Sequence, residues 1–162
     1  LDSFKRTYPH YIYNSDLHNR WFFAIPKRAI KQIFYPREGL KAIMELPKKD
    51  KDEHIKTVIN FVEFILRSGL PLNKLGITFS TLVGHYDPKY SDINLIIYGK
   101  KNAWKVIKFL EKAEHPLLRW KSAEEWESFR KKRSRENLFE QEEFIDQMSR
   151  KRTEGFFNNI LY

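Results

Sequence analysis

Ile55, Val58, Ile59, Val62, Ile65 and Leu66 recur at steps of three and four residues, which lines one face of an α-helix with apolar side chains. Such a helix packs that face on another layer, and Gly69-Leu70-Pro71 ends it. Two short apolar runs follow, Leu75 to Ser80 and Ile93 to Tyr98, each suited to a buried strand. Tyr86-Asp87-Pro88-Lys89 between them carries turn chemistry, so Asp87 reads as a turn former rather than a catalytic acid. The order of elements predicts an α+β fold, with short strands packed by helices.

The flanks are organised differently. Residues 1–24 are rich in aromatics, with Tyr8, Tyr11, Tyr13, Trp21, Phe22 and Phe23 beside Lys5, Arg6 and Arg20. These rings and cations suit a stacking platform for bases, but packing into a small core or interface is the favoured reading. Pro26 is expected to open a short helix through Phe34 that Pro36 stops, with further helix over Arg37 to Leu46. Lys48-Lys49-Asp50-Lys51-Asp52 reads as a solvated connector. Asn102 is the expected N-cap of a helix through Lys112, with Trp104, Ile107, Phe109 and Leu110 as its apolar positions. Its other face carries Lys101, Lys105, Lys108 and Lys112, either a solvated face or a phosphate-receiving stripe. Leu117 to Trp120 is a strand candidate, and Ser122-Ala123-Glu124-Glu125 is a capping box that starts another helix. Arg130, Lys131, Lys132, Arg133 and Arg135 form a basic run for RNA or DNA contact, in competition with the acidic stretch Glu140 to Asp146. Phe156 to Tyr162 is expected to return as a strand at a sheet edge. Three parts result: a helical, aromatic-rich part over 1–48 packed on the core, a core over 49–121, and a charged part over 122–162 with a long basic helix.

Composition narrows the chemistry. The chain has no Cys, which excludes a disulfide framework, a thiolate-bound zinc and a thiol nucleophile. Its five His residues are scattered without the helical pairing of a zinc hydrolase. Thirty Lys and Arg face twenty-one Asp and Glu, a net charge of +9 that favours polyanions. Residues 1–51 concentrate the excess, with eleven basic and five acidic side chains. No run of about 18 apolar residues suggests a membrane span, and no leader is recognisable, so residence in the cytoplasm is expected. The chain starts at Leu1, and part of a longer protein is expected. Abundant Lys, Glu, Ile and Tyr fit a heat-loving source.

The strand candidates carry the chemistry. Phe79-Ser80 ends the first, and Ser91-Asp92-Ile93-Asn94 opens the second, with Asp92 and Asn94 two apart and therefore on one face. In this spacing, and with Tyr8-Pro9-His10-Tyr11, Ile25-Pro26, Tyr35-Pro36-Arg37-Glu38-Gly39-Leu40 and Tyr98-Gly99, the chain resembles predicted archaeal nucleotidyltransferases of the polymerase-beta-like superfamily. The likeness covers most of residues 1–99. It implies a small mixed sheet of the nucleotidyltransferase type packed by helices, in which a Gly-Ser pair cradles phosphate and an Asp-x-Asp pair holds magnesium. Carried over by position, Asp92 is the metal ligand, Asp92 and Asn94 are the catalytic pair, and Ser80 contacts phosphate; Lys101 and Lys105 of the basic stripe, which belong to no family motif, are expected to supply charge beside it. Phe79 and Asn94 depart from the pattern, and Leu117 to Trp120 offers no third acid. An amide oxygen brings no negative charge, so Asp92 alone holds magnesium weakly.

These departures lead to an expectation of a nucleotide- or nucleic-acid-binding accessory protein with an impaired metal site. A weakly active metal-dependent nucleotidyltransferase is the alternative, if a carboxylate such as Glu111 or Glu124 folds close to Asp92. A basic protein-interaction or assembly subunit is the third reading.

Overall fold

The computed structural model describes residues 2–132 and 140–162 and has the α+β class expected. Two compact units divide it, residues 1–33 and 34–162.

The first unit holds helix α1 (Asp2–Thr7) and a β-hairpin of β1 (Ile12–Ser15) and β2 (Arg20–Phe23). The expectation of a helical N-terminal part is thus corrected to a short helix followed by a hairpin. Tyr13, Trp21, Phe22 and Phe23 favour strands, and Asn19 takes the left-handed conformation, φ 46°, that the connecting loop needs. Lys27–Ala29 makes only a turn of 3₁₀-helix where a helix through Phe34 is expected.

In the second unit, α2 (Pro36–Glu45) fills the stretch expected to be helical over Arg37 to Leu46 and starts at Pro36, because the first helical position needs no N–H. Its Leu40 and Ile43 are buried, so α2 belongs to this core and residue 48 is no boundary. Asp52 caps α3 (Glu53–Leu66) by accepting from Ile55 N at 2.8 Å, and Gly69 leaves the helix at φ +78°. Val58, Val62 and Ile65 are at most 2% exposed, which confirms the predicted apolar face.

Strands β3 (Leu75–Ile77) and β4 (Leu95–Ile97) pair antiparallel and flank the short helix α4 (Phe79–Leu82). Gly76 permits close packing on α2, since a Cβ there would lie 2.8 Å from Pro36 Cβ. Helix α5 (Lys100–Lys112) begins two residues before Asn102, because Gly99 turns the chain at φ +98°. Asn102 instead donates its side-chain N–H to Tyr98 O at 2.6 Å. Val106 and Leu110 are the buried positions of α5, whereas Trp104 is 53% exposed.

The third sheet contains β5 (Leu118–Trp120), β6 (Gly155–Phe157) and β7 (Ile160–Leu161), also antiparallel. Every strand pairing among the described residues is antiparallel, in place of a mixed sheet. The order β5-β6-β7 leaves the final strand at the edge of this sheet, as expected, and Ile93 N donates to Leu161 O at 2.7 Å, which ties that edge to the segment entering β4. Around it lie α6 (Ala123–Lys132), opened by the predicted Ser122/Glu125 capping box, and α7 (Gln141–Lys151). Among the described residues no helix is long and apolar enough to cross a membrane.

Candidate functional site

The β3–β4 pairing brings the two halves of the sequence motif to one end of the sheet. Thr78 N and Thr78 Oγ1 both donate to Asn94 O, at 2.9 and 3.1 Å, which extends the ladder one residue beyond β3. Phe79-Ser80 therefore neighbours Asp92-Ile93-Asn94. The turn is fixed from two sides. Asp87 Oδ1 accepts from Lys89 N at 2.8 Å, and Asp87 O accepts from Ser91 N at 2.9 Å, as its turn-forming reading requires. On the other side, buried His54 of α3 places Nε2 3.0 Å from Thr81 Oγ1 and stacks on Tyr86 at 4.6 Å. Tyr86 donates to Asp52 Oδ2 at 2.7 Å. Burial holds the His54 pKa below its ordinary value, and burial with the Asp52 hydrogen bond pushes Tyr86 up to about 12.

Phe79 has φ 54°, a conformation natural to glycine, and its ring is 73% exposed. The ring stands in solvent instead of entering the core. A bulky L-residue there stores about 1–2 kcal/mol of strain. Ser80 is half-buried in α4, and its carbonyl accepts from His85 N at 2.9 Å.

Asp92 and Asn94 line a cavity of about 510 Å³. Ile93, Leu95, Ile97, Val106 and Leu110 contribute apolar lining, and Arg152, Thr153, Glu154 and Tyr162 add polar groups. Arg152 follows α7 in the left-handed conformation, with its guanidinium 4.7 Å from the Trp120 ring centroid. The Tyr162 hydroxyl is buried without a hydrogen-bond partner among the described residues. Burial raises its pKa, and the Arg152 charge opposes that shift. Glu154 is the cavity's other carboxylate, but Lys121 Nζ lies 2.6 Å from its Oε2. The Lys121 side chain is 6% exposed and sits 4.4 Å from the Trp126 ring. This buried cation neutralises the acid best placed to assist Asp92.

The donor set does not fit a two-magnesium centre. Asp92 supplies one uncommitted carboxylate, Asn94 a neutral amide, and Glu154 a carboxylate already paired. Among the described residues no cluster of three or more His, Cys, Asp or Glu side chains is arranged to hold a metal.

The other sequence-named residues lie elsewhere. Lys101 is exposed in the first turn of α5, beyond the end of β4 opposite Asp92. Lys105 donates to Gly69 O at 2.7 Å, and neither lysine lines the cavity. The face of α5 that does is Ala103, Val106, Ile107 and Leu110, so burial of the apolar face carries the basic stripe away. Arg130 is half-buried in α6, Lys131 pairs with Glu127 at 2.8 Å, and Lys132 is exposed. Arg133 and Arg135 lie outside the described residues. Glu124 accepts from Ser122 Oγ at 2.7 Å, and neither it nor Glu111 lines the cavity. Arg152, Glu154 and Tyr162 have no motif in the sequence. Their one signal is the strand expected from Phe156 onward, which draws the preceding residues to the sheet.

Uncharacterized protein MJ1086 of Methanocaldococcus jannaschii, an archaeon, is 29% identical to this chain over 154 residues. The match covers 94% of this chain and 44% of that protein, so the chain spans less than half the length of the relative. No protein-family model and no solved structure matches.

Proposed function

We propose that this protein binds a nucleotide in the cavity beside Asp92 and Asn94 without carrying out efficient metal-dependent transfer. The observation that carries this reading is the pairing pattern at the cavity. Arg152 is available to an anion, whereas Glu154 is neutralised by Lys121. Apolar walls suit a flat ring, and a few convergent polar groups suit orientation of the rest of a ligand. The buried Tyr162 hydroxyl supplies a donor that a phosphate or sugar oxygen would satisfy. In this account Arg152 neutralises phosphate, Asp92 and Asn94 bond to sugar or base, and no bond of the ligand is broken.

Calorimetric titration with nucleoside triphosphates tests the reading, beside Arg152→Gln and Asp92→Ala. Binding that falls at least tenfold in Arg152→Gln supports it, a charge-assisted hydrogen bond being worth about 1.5–3 kcal/mol. Substantial Asp92-dependent transfer in magnesium would sink it. The presence of Glu154 in the same cavity favours one second reading, slow transfer by a site in which Glu154 escapes Lys121. Lys121→Met would then raise turnover.

A further inference from the structure

The N-terminal hairpin presents a second surface, independent of the cavity. Its register pairs Tyr13 with Phe22 and Ser15 with Arg20, and residues two apart on a strand share a face. Tyr13, Phe22 and Arg20 therefore lie together on one face. The opposite face carries Trp21 and Phe23 and meets α1, although Phe23 stays 50% exposed: Phe4 meets Phe23 edge-on at 4.9 Å, and Lys5 Nζ lies 3.7 Å from the Trp21 ring centroid. On the Tyr13 face, Tyr13 makes no ring or cation contact among the described residues. Tyr13 is 58% and Phe22 38% exposed, with the His18 ring edge-on to Phe22 at 5.5 Å and the Arg20 guanidinium 6.0 Å from its centroid.

The geometry points to this face as a stacking surface for single-stranded nucleic acid. Two adjacent rings on a hydrogen-bonded ladder offer successive bases flat apolar contacts without a search for side-chain geometry. Arg20 beside them meets the phosphate between the bases. Charge selects the partner: residues 1–33 hold six Lys and Arg against two Asp and Glu, which attracts a polyanion. Single strands are chosen over duplexes because ring stacking needs base faces that a duplex keeps occupied. A polyanion with exposed planar rings satisfies both the aromatic pair and the cations.

Fluorescence anisotropy with a labelled oligouridine of about a dozen nucleotides tests the surface on the full chain at low salt. Tyr13→Ala and Phe22→Ala should each weaken binding about tenfold, while Tyr13→Phe keeps it. Arg20→Gln should also weaken binding and flatten its salt dependence by about one counterion. A blunt duplex should bind more weakly and be insensitive to Tyr13→Ala. Circular dichroism checks folding, and Tyr13→Ala carries the test if Phe22→Ala does not fold. Failure of the full chain to bind any single strand, or unchanged binding by Tyr13→Ala, overturns the proposal and leaves the face to a protein partner. Nucleotide titration of the same variants separates this result from the cavity reading, which predicts no change.

Discussion

Replacing Phe79 isolates the backbone strain at the motif. Phe79→Gly and Phe79→Ala both remove the same ring, which is 73% exposed, so its small loss of burial cancels between them. They differ in whether the backbone tolerates φ 54°. Alanine keeps the left-handed penalty of about 1–2 kcal/mol, whereas glycine relieves it and adds about 0.5–1 kcal/mol of unfolded-chain entropy. The glycine variant should therefore be the more stable by about 0.5–1 kcal/mol. At an ordinary helical site the order is reversed by a similar amount. Urea unfolding followed by circular dichroism measures the difference, and the midpoint of thermal unfolding should differ by about 1–4 °C. An alanine variant as stable as the glycine variant would refute the claim that Phe79 occupies a glycine conformation under strain.

Gly76→Ala should destabilise by about 1–3 kcal/mol in the same assay, since the added Cβ meets Pro36 at 2.8 Å. His54 has its pKa lowered by burial, so the unfolded chain binds a proton that the native state resists. Its contribution is fully present above pH 6.5 and declines as pH falls through that unfolded value toward the folded one, with a slope of at most about 1.4 kcal/mol per pH unit. His54→Gln should flatten that slope in unfolding curves taken across this range. Lys121→Met should destabilise by about 3 kcal/mol or less, because Glu154 loses its partner but keeps some solvent, and Glu154→Gln in the same chain should restore part of the loss.

The elements that periodicity or capping specifies were legible. Helix α3 declares itself by Ile55, Val58, Ile59, Val62 and Ile65, and α6 by its Ser122/Glu125 box. The hairpin was not, because its register spreads the aromatics over both faces, so no polar–apolar alternation marks the strands. Trp104 was placed in the core by its hydrophobicity, yet Val106 and Leu110 occupy the buried face and turn it to solvent. Lys105 looked like a free charge until folding set Gly69 O within 2.7 Å. The Asp92–Asn94 pair was singled out by the resemblance, with its spacing placing both residues on one face. Glu154 and Arg152 were not, since they reach that cavity through the β5–β6 pairing, the Lys121 ion pair and the Ile93–Leu161 hydrogen bond, which join segments far apart in the chain.

Titration of the full chain with a nucleoside triphosphate in magnesium and again in chelator tests the central claim most directly. With Arg152 supplying the charge, affinity should survive chelation within about threefold, a change below 1 kcal/mol, and no pyrophosphate should be released in magnesium. Binding that vanishes on chelation, or pyrophosphate released by the original chain and abolished by Asp92→Ala, would contradict it.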